Sequence, residues 1–165
     1  MVFRKNLVKM ENKVYIARTD VLNDEKVFTR LYNAVSEERR RKADRFVQKR
    51  DKMLSIGAEI LLKRALSDCG IADFSLKYGE NGKPYLAGRS LFFNLSHSEN
   101  TVICAVSERE IGVDAEKVGK GEISVRQNVS PQKFFFKEYA LGDGFKYAAC
   151  GLCGEFEDEV RFVEL

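Results

Sequence analysis

This chain of 165 residues has little of several things, and each shortage excludes a class of protein. Only one histidine, His97, and two prolines occur, and tryptophan is absent. No apolar run approaches the roughly 18 residues that a membrane-spanning helix needs. No membrane association is therefore expected. The stretch MVFRKNLVKMENK at 1–13 carries basic residues but lacks the apolar core of a secretory signal, and a cytoplasmic protein is the expectation. The four cysteines, Cys69, Cys104, Cys150 and Cys153, are not spaced as a disulfide framework. Cys150 and Cys153 form a lone CxxC; a structural zinc site wants a second such pair, and a thioredoxin-like site wants a helix after the first cysteine. Neither follows here, so the pair reads as structural or incidental. There is no internal repeat and no low-complexity linker.

What is present is enough for a core: hydrophobic residues make up 44% and aromatics 11%. The length suits one domain over 1–165, with approximate halves at 1–106 and 107–165. Net charge is only +3, but it is uneven. Residues 36–52 hold eight basic side chains against four acidic ones, and residues 155–165 hold five acids and one arginine. A basic helix attracts phosphate or an acidic partner. Nucleic acid is not the expected partner, since no aromatic residues interleave the cluster for base stacking.

Patterning predicts helices early and strands late. VYIAR at 14–18 alternates as a strand. Asn23 or Asp24 caps a short helix to about Val35. Ser36 caps the next, with Glu37 and Glu38 in the first turn where the dipole favours acids. A third helix starts near Asp51; Met53, Ile56, Gly57, Ile60 and Arg64 follow one stripe, joined by Leu61 and Leu62, and Gly70 is the stop. FSLKY at 74–78 is a short strand before a GENGKP turn at 79–84. Then come FFNLS, TVICAVS and IGVDAE, the last two expected to pair as a hairpin through Glu108 and Arg109. KFFFKEY at 133–139, FKYAAC at 145–150 and EVRFVE at 159–164 close the list of strands. This is an α+β pattern, not alternating βαβ.

The most informative stretch is LFFNLSHSENTVICAVSEREIGVDAEK at 91–117. It holds His97 between Ser96 and Ser98 and ends in Asp114 and Glu116. In a strand, residues two apart share a face. Asp114 and Glu116 are therefore predicted to point one way, with Val113 and Ala115 turned to the other. Two convergent carboxylates near a histidine and lysines suit Mg²⁺ and a phosphorylated ligand.

FFNLSHS followed by IGVDAEKV resembles the paired signatures of the 4'-phosphopantetheinyl transferases, in their larger, monomeric, pseudo-dimeric form. GKPYL at 82–86 resembles a third signature, and SEERRRKADRF at 36–46 the N-terminal basic helix. The resemblance covers roughly residues 30–120. It implies two pseudo-symmetric halves, each a helix on a small antiparallel sheet, with the site between them. It also implies Mg²⁺-dependent transfer of 4'-phosphopantetheine from coenzyme A to a serine of an acyl or peptidyl carrier protein. Asp114 and Glu116 would hold the metal. His97, after Ser96, would contact a coenzyme A phosphate, and Lys83 and Pro84 would lie against the adenine and phosphate end. Arg39 and Lys42, anchored in register by Arg45 and Phe46, would hold the 3'-phosphate. Many relatives carry an arginine where this chain has Leu54, so one phosphate contact is expected to be missing.

The resemblance breaks after Glu116. Relatives continue with a long helical stretch bearing Lys-Glu, whose glutamate is a third metal ligand or the general base. Here KVGKGEISV follows almost at once, and Gly119-Lys-Gly121 looks like the far end of that stretch. Lys137-Glu138 belongs to the expected C-terminal hairpin and is not a substitute; Glu122 is the weak remaining candidate. Two explanations stay open: a shortened form lacking the base, or an internal segment left out of the sequence. Either leaves an apolar face of the second half exposed. The alternative to an enzyme is a binding module for coenzyme A or a carrier protein.

Overall fold

The computed structural model describes residues 10–88, 90–117, 135–152 and 154–165. The first strand, β1 (Lys13–Arg18), leads through a 3-10 turn to three helices, α1 (Glu25–Ala34), α2 (Glu37–Ala43) and α3 (Lys49–Ser67). The strands β2 (Leu76–Tyr78), β3 (Pro84–Leu86), β4 (Phe92–Ser98), β5 (Thr101–Ser107), β6 (Ile111–Lys117), β7 (Phe135–Ala140), β8 (Phe145–Gly151) and β9 (Arg161–Phe162) follow. The protein is α+β, with the helices gathered before the later strands. Among the described residues no helix is long and apolar enough to cross a membrane.

Caps set the helix starts. Asp24 accepts from the N–H groups of Lys26 and Val27, and Ser36 accepts from the N–H of Arg39. Gly70 closes α3 with φ +81°, a conformation that side-chain-bearing residues resist.

Four strands form the central sheet in the order β4-β5-β1-β9, and β6-β8-β7 form a second sheet; β2 and β3 make a separate ribbon. Packing is layered. One face of the central sheet (Tyr15, Ala17, Phe93, Val102, Cys104, Val106) meets Leu54, Leu61, Leu62, Ala65 and Leu66 of α3. The other face (Val14, Ile16, Ile103, Ala105) meets Val113, Ala115, Tyr139, Tyr147 and Ala149 of the second sheet. With neighbours on both faces, all seven residues of β5 are buried, which explains its unbroken run of apolar and small residues. Each large apolar side chain buried here contributes about 1.5–3 kcal/mol. A third cluster, Leu22, Leu31, Val35, Ala43, Met53 and Ile56, fixes α1 and α2 against α3.

Two expectations need correction. IGVDAE does not pair with TVICAVS: β5 already has β4 on one edge and β1 on the other, so residues 108–110 carry the chain into the second sheet, where β6 pairs with β8. The hairpin is β4–β5 instead, turning at Glu99 with φ +49°. Arg64 is not on the buried stripe of α3; it is exposed and pairs with Asp68. The C-terminal hairpin is as expected, with Lys137 and Glu138 within β7. EVRFVE contributes only two residues to β9, which lies parallel to β1.

The outer face of the second sheet carries Gly112, Asp114 and Glu116 on β6, Cys150, Ala148 and Lys146 on β8, and Phe136, Glu138 and Ala140 on β7, in matched rows. Phe136 is 69% exposed, and Ala140 and Ala148 are exposed too, interspersed with the charged Asp114, Glu116, Glu138 and Lys146.

Gly57 of α3 faces Thr19, the residue after β1, and Val102 of β5. A Cβ there would lie 2.8 Å from Thr19 Cγ2. Thr19 is fully buried, and its N–H and hydroxyl both donate to the Asn100 carbonyl, at 2.8 and 3.0 Å, so its side chain is not free to swing aside. Glycine to alanine inside a helix ordinarily stabilises by about 1 kcal/mol. We expect Gly57→Ala to destabilise instead, by about 1–3 kcal/mol of overpacking, measured by urea unfolding; a stabilised variant would refute the close approach.

Candidate functional site

The site grows from the alternation of β4. Phe93 and Leu95 turn toward α3 and join its cluster. His97, of the same parity, is exposed and lines a cavity of about 260 Å³. Asn94 and Ser96 have the opposite parity and reach the neighbouring strand β6. The N–H of Val113 donates to Asn94 Oδ1 at 3.0 Å, and the Ser96 hydroxyl donates to Asp114 Oδ1 at 2.8 Å. Lys117 Nζ meets Glu99 Oε1 at 2.8 Å at the far end. These side-chain bonds hold β6 beside β4 although no backbone ladder joins them.

On β6 the burial alternates as the sequence pattern requires. Val113 and Ala115 are buried in the inter-sheet core, while Asp114 and Glu116 are exposed on the other face. Among the described residues neither carboxylate pairs with a cation. Their donor chemistry, two hard oxygen ligands open to solvent, fits Mg²⁺, which takes one or two protein carboxylates and keeps positions for phosphate and water. No group of three or more histidine, cysteine or carboxylate side chains that could hold a metal occurs among the described residues. Glu138 lies in the row of Asp114 but on the far strand, with Ala148 of β8 between them. The two stand two strand spacings apart, roughly 10 Å between backbones, and no trio containing them forms among the described residues. Glu122 and Gly119-Lys-Gly121 lie outside the described residues, as does Cys153.

The cavity beside His97 is lined by Arg39 and Lys42 of α2, Leu54 and Ser55 of α3, and Pro84 at the start of β3. Four of the predicted ligand residues, Arg39, Lys42, Pro84 and His97, therefore share one cavity. Lys83 does not line it. With Pro84, Lys83 lines a neighbouring cleft of about 450 Å³ that runs past Phe92 to Gly112 and Cys150. Leu54 is buried at the cavity wall, where it supplies packing and no charge. Phe46 lines the same cavity.

Three residues of the site escaped the sequence reading. Asn94 is one; its signal was its place two residues before Ser96, on the same face of β4. Ser55 and Glu59 are the others. Glu59 is 4% exposed. Its carboxylate accepts from the Ser36 N–H (2.6 Å), the Ser36 hydroxyl (2.9 Å), Arg39 Nε (3.1 Å) and Lys63 Nζ (3.1 Å). Burial works to raise the Glu59 carboxyl, but the bonds from Ser36, Lys63 and Arg39 together hold it below its ordinary range. The remaining signal was an acid embedded among apolar residues of α3.

The geometry defines an α+β protein in which one edge strand joins a basic cavity to an acidic strand. A family profile described as 4'-phosphopantetheinyl transferase, N-terminal, matches residues 23–109. A 4'-phosphopantetheinyl transferase of Bacillus subtilis is 34% identical over 110 residues, covering 64% of this chain and 49% of that protein. The 4'-phosphopantetheinyl transferase gsp of Aneurinibacillus migulanus is 30% identical over 119 residues, covering 70% and 48%. The 4'-phosphopantetheinyl transferase HetI of Nostoc sp. is 29% identical over 144 residues, covering 82% and 60%. The chain belongs to the 4'-phosphopantetheinyl transferase family. It spans about half the length of the first two of these relatives.

Asn94→Ala would leave the Val113 N–H without its acceptor at a partly buried position. The expected loss is about 1–3 kcal/mol of stability, read by urea unfolding. An unchanged midpoint would show that the seam between β4 and β6 does not rest on this bond.

Proposed function

We propose that this protein transfers the 4'-phosphopantetheine arm of coenzyme A to a serine of an acyl or peptidyl carrier protein, with Mg²⁺ held by Asp114 and Glu116. One observation carries the reading: on β4, Ser96 touches Asp114 while the next residue, His97, lines the cavity of Arg39, Lys42 and Pro84.

Bound Mg²⁺ would neutralise charge on the coenzyme A diphosphate. The protein's own part is positioning. Arg39, Lys42 and His97 hold the phosphates of the nucleotide end and Pro84 walls the cavity, while Lys83 lines the neighbouring cleft. Ser96 orients Asp114. The carrier serine hydroxyl gives its proton to solvent as its oxygen bonds to the β-phosphorus, the bond from that phosphorus to the bridging oxygen breaks, and 3',5'-ADP leaves. Orientation and electrostatic stabilisation supply most of the acceleration. Carrier proteins are usually acidic around the target serine, which suits the basic face of α2. The second sheet, with its hairpin and open outer face, is read as the shortened second half of a two-half arrangement.

A second reading, a coenzyme A or carrier-protein binding module, draws support from the placement of Glu138 two strands from Asp114, where it does not complete a trio of carboxylates.

Mass spectrometry separates the two. With Mg²⁺, coenzyme A and a panel of apo carrier proteins, the transferase leaves a pantetheine adduct on at least one carrier. Coenzyme A binding by calorimetry with no adduct on any carrier would overturn the transferase and leave the module. Asp114→Ala is expected to lower Mg²⁺-dependent coenzyme A affinity by roughly 10-fold or more, since even outer-shell changes at metal sites cost that much. Unchanged affinity would refute the metal assignment.

A further inference from the structure

We infer that Glu59 is a positioning residue that aims Arg39 into the nucleotide cavity and so sets the preference for a ligand bearing a 3'-phosphate. The inference rests on the proposed reading of that cavity as the nucleotide end of coenzyme A.

Arg39 stands on a seven-residue helix, and its side chain is only 10% exposed. An arginine on a surface helix would normally sample many rotamers, and ordering it would weigh against binding. Here the ordering is complete before any ligand arrives. Arg39 Nε donates to Glu59 Oε2, and Nη1 donates to Ser55 Oγ at 3.3 Å. Ser55 lines the same cavity as Lys42 and His97. One edge of the guanidinium is thus tied to α3, and Arg39 lines both this cavity and a second one of about 690 Å³ that Glu59 and Lys42 also line.

Glu59 can hold this pose because it is itself fixed. Ser36 donates to it twice, through the N–H and the hydroxyl, while the same hydroxyl accepts from the Arg39 N–H. Lys63 donates to Glu59 and also to the Ala34 carbonyl at 2.7 Å. The carboxylate therefore couples the cap of α2 to the orientation of the arginine one turn later. A buried carboxylate is kept in a fold only when it is fully paired. Four donors satisfy that requirement, and one of them belongs to the cavity lining.

The alternative is that Glu59 merely fastens α2 to α3. Calorimetry on the whole chain with Mg²⁺, comparing coenzyme A with its 3'-dephospho form, separates the two. The wild type is expected to prefer coenzyme A. Glu59→Gln should lower that preference by about 10-fold, the size of one hydrogen bond to a charged group, and leave affinity for the dephospho form unchanged. In an Arg39→Gln background, Glu59→Gln should lower the preference no further, because both act through one contact. Equal weakening of both ligands, or a preference kept in full, would overturn the inference while sparing the reading of the cavity. No preference in the wild type would overturn that reading and the inference with it. If circular dichroism shows Glu59→Gln unfolded, Glu59→Asp, which keeps the charge but withdraws it from Arg39, is read by the same criteria.

Discussion

Everything in the site depends on one seam, where strands β4 and β6 lie side by side without sharing a backbone ladder. Side chains do the joining: Asn94 to the Val113 N–H, Ser96 to Asp114, and Glu99 to Lys117. A ladder would have tied backbone to backbone and left the side chains unrelated. A side-chain seam instead places the Ser96 hydroxyl on the Asp114 carboxylate. Because successive residues of a strand face opposite ways, the residues flanking Ser96 serve the other layer. Leu95 packs with α3 and His97 opens on the basic cavity. A single extended segment thereby addresses an acidic strand on one side and a basic helix on the other.

The layers behind the seam give it rigidity. The central sheet is covered by α3 on one face and by the second sheet on the other, and its interior strand β5 is buried throughout. β4 is held along one edge by that strand, so the register of Ser96 and His97 is fixed by ladder bonds that do not themselves belong to the site. On the helical side the buried pairing of Glu59 with Arg39 does comparable work, whereas the exposed Arg41–Glu37 pair on the same helix contributes little, as surface ion pairs do.

Much of this was legible in the residues. The caps Asp24 and Ser36, the stop at Gly70, the strand at 14–18 and the outward turn of Asp114 and Glu116 all follow from local rules, and local rules govern these features. The pairing of β6 did not follow. Three residues between two alternating segments look like a hairpin loop, but the edge of β5 that such a hairpin would need is occupied by β1, whose sequence lies far upstream. That competition is decided by tertiary packing. Glu59 was hidden for a related reason: a carboxylate within an apolar stripe signals a partner without naming it, and its partners Ser36 and Arg39 stand on another helix. Asn94 could have been found, since it shares the parity of Ser96. The likeness to the transferases carried the chemistry of His97 and Lys83 further than any pattern could; the two then proved to line different cavities.

The parallel pairing of β1 with β9 bears on how the polypeptide assembles. Tyr15 and Ile16 find Arg161 and Phe162 as neighbours only after the whole intervening sequence exists. Until β9 has been made, the flank of β1 at Tyr15 and Ile16 presents unpaired amides and carbonyls. An open flank of this kind invites pairing with foreign strands, and contacts between distant parts of a chain form slowly. The nascent protein thus exposes that flank of β1 to misassociation until β9 has been made.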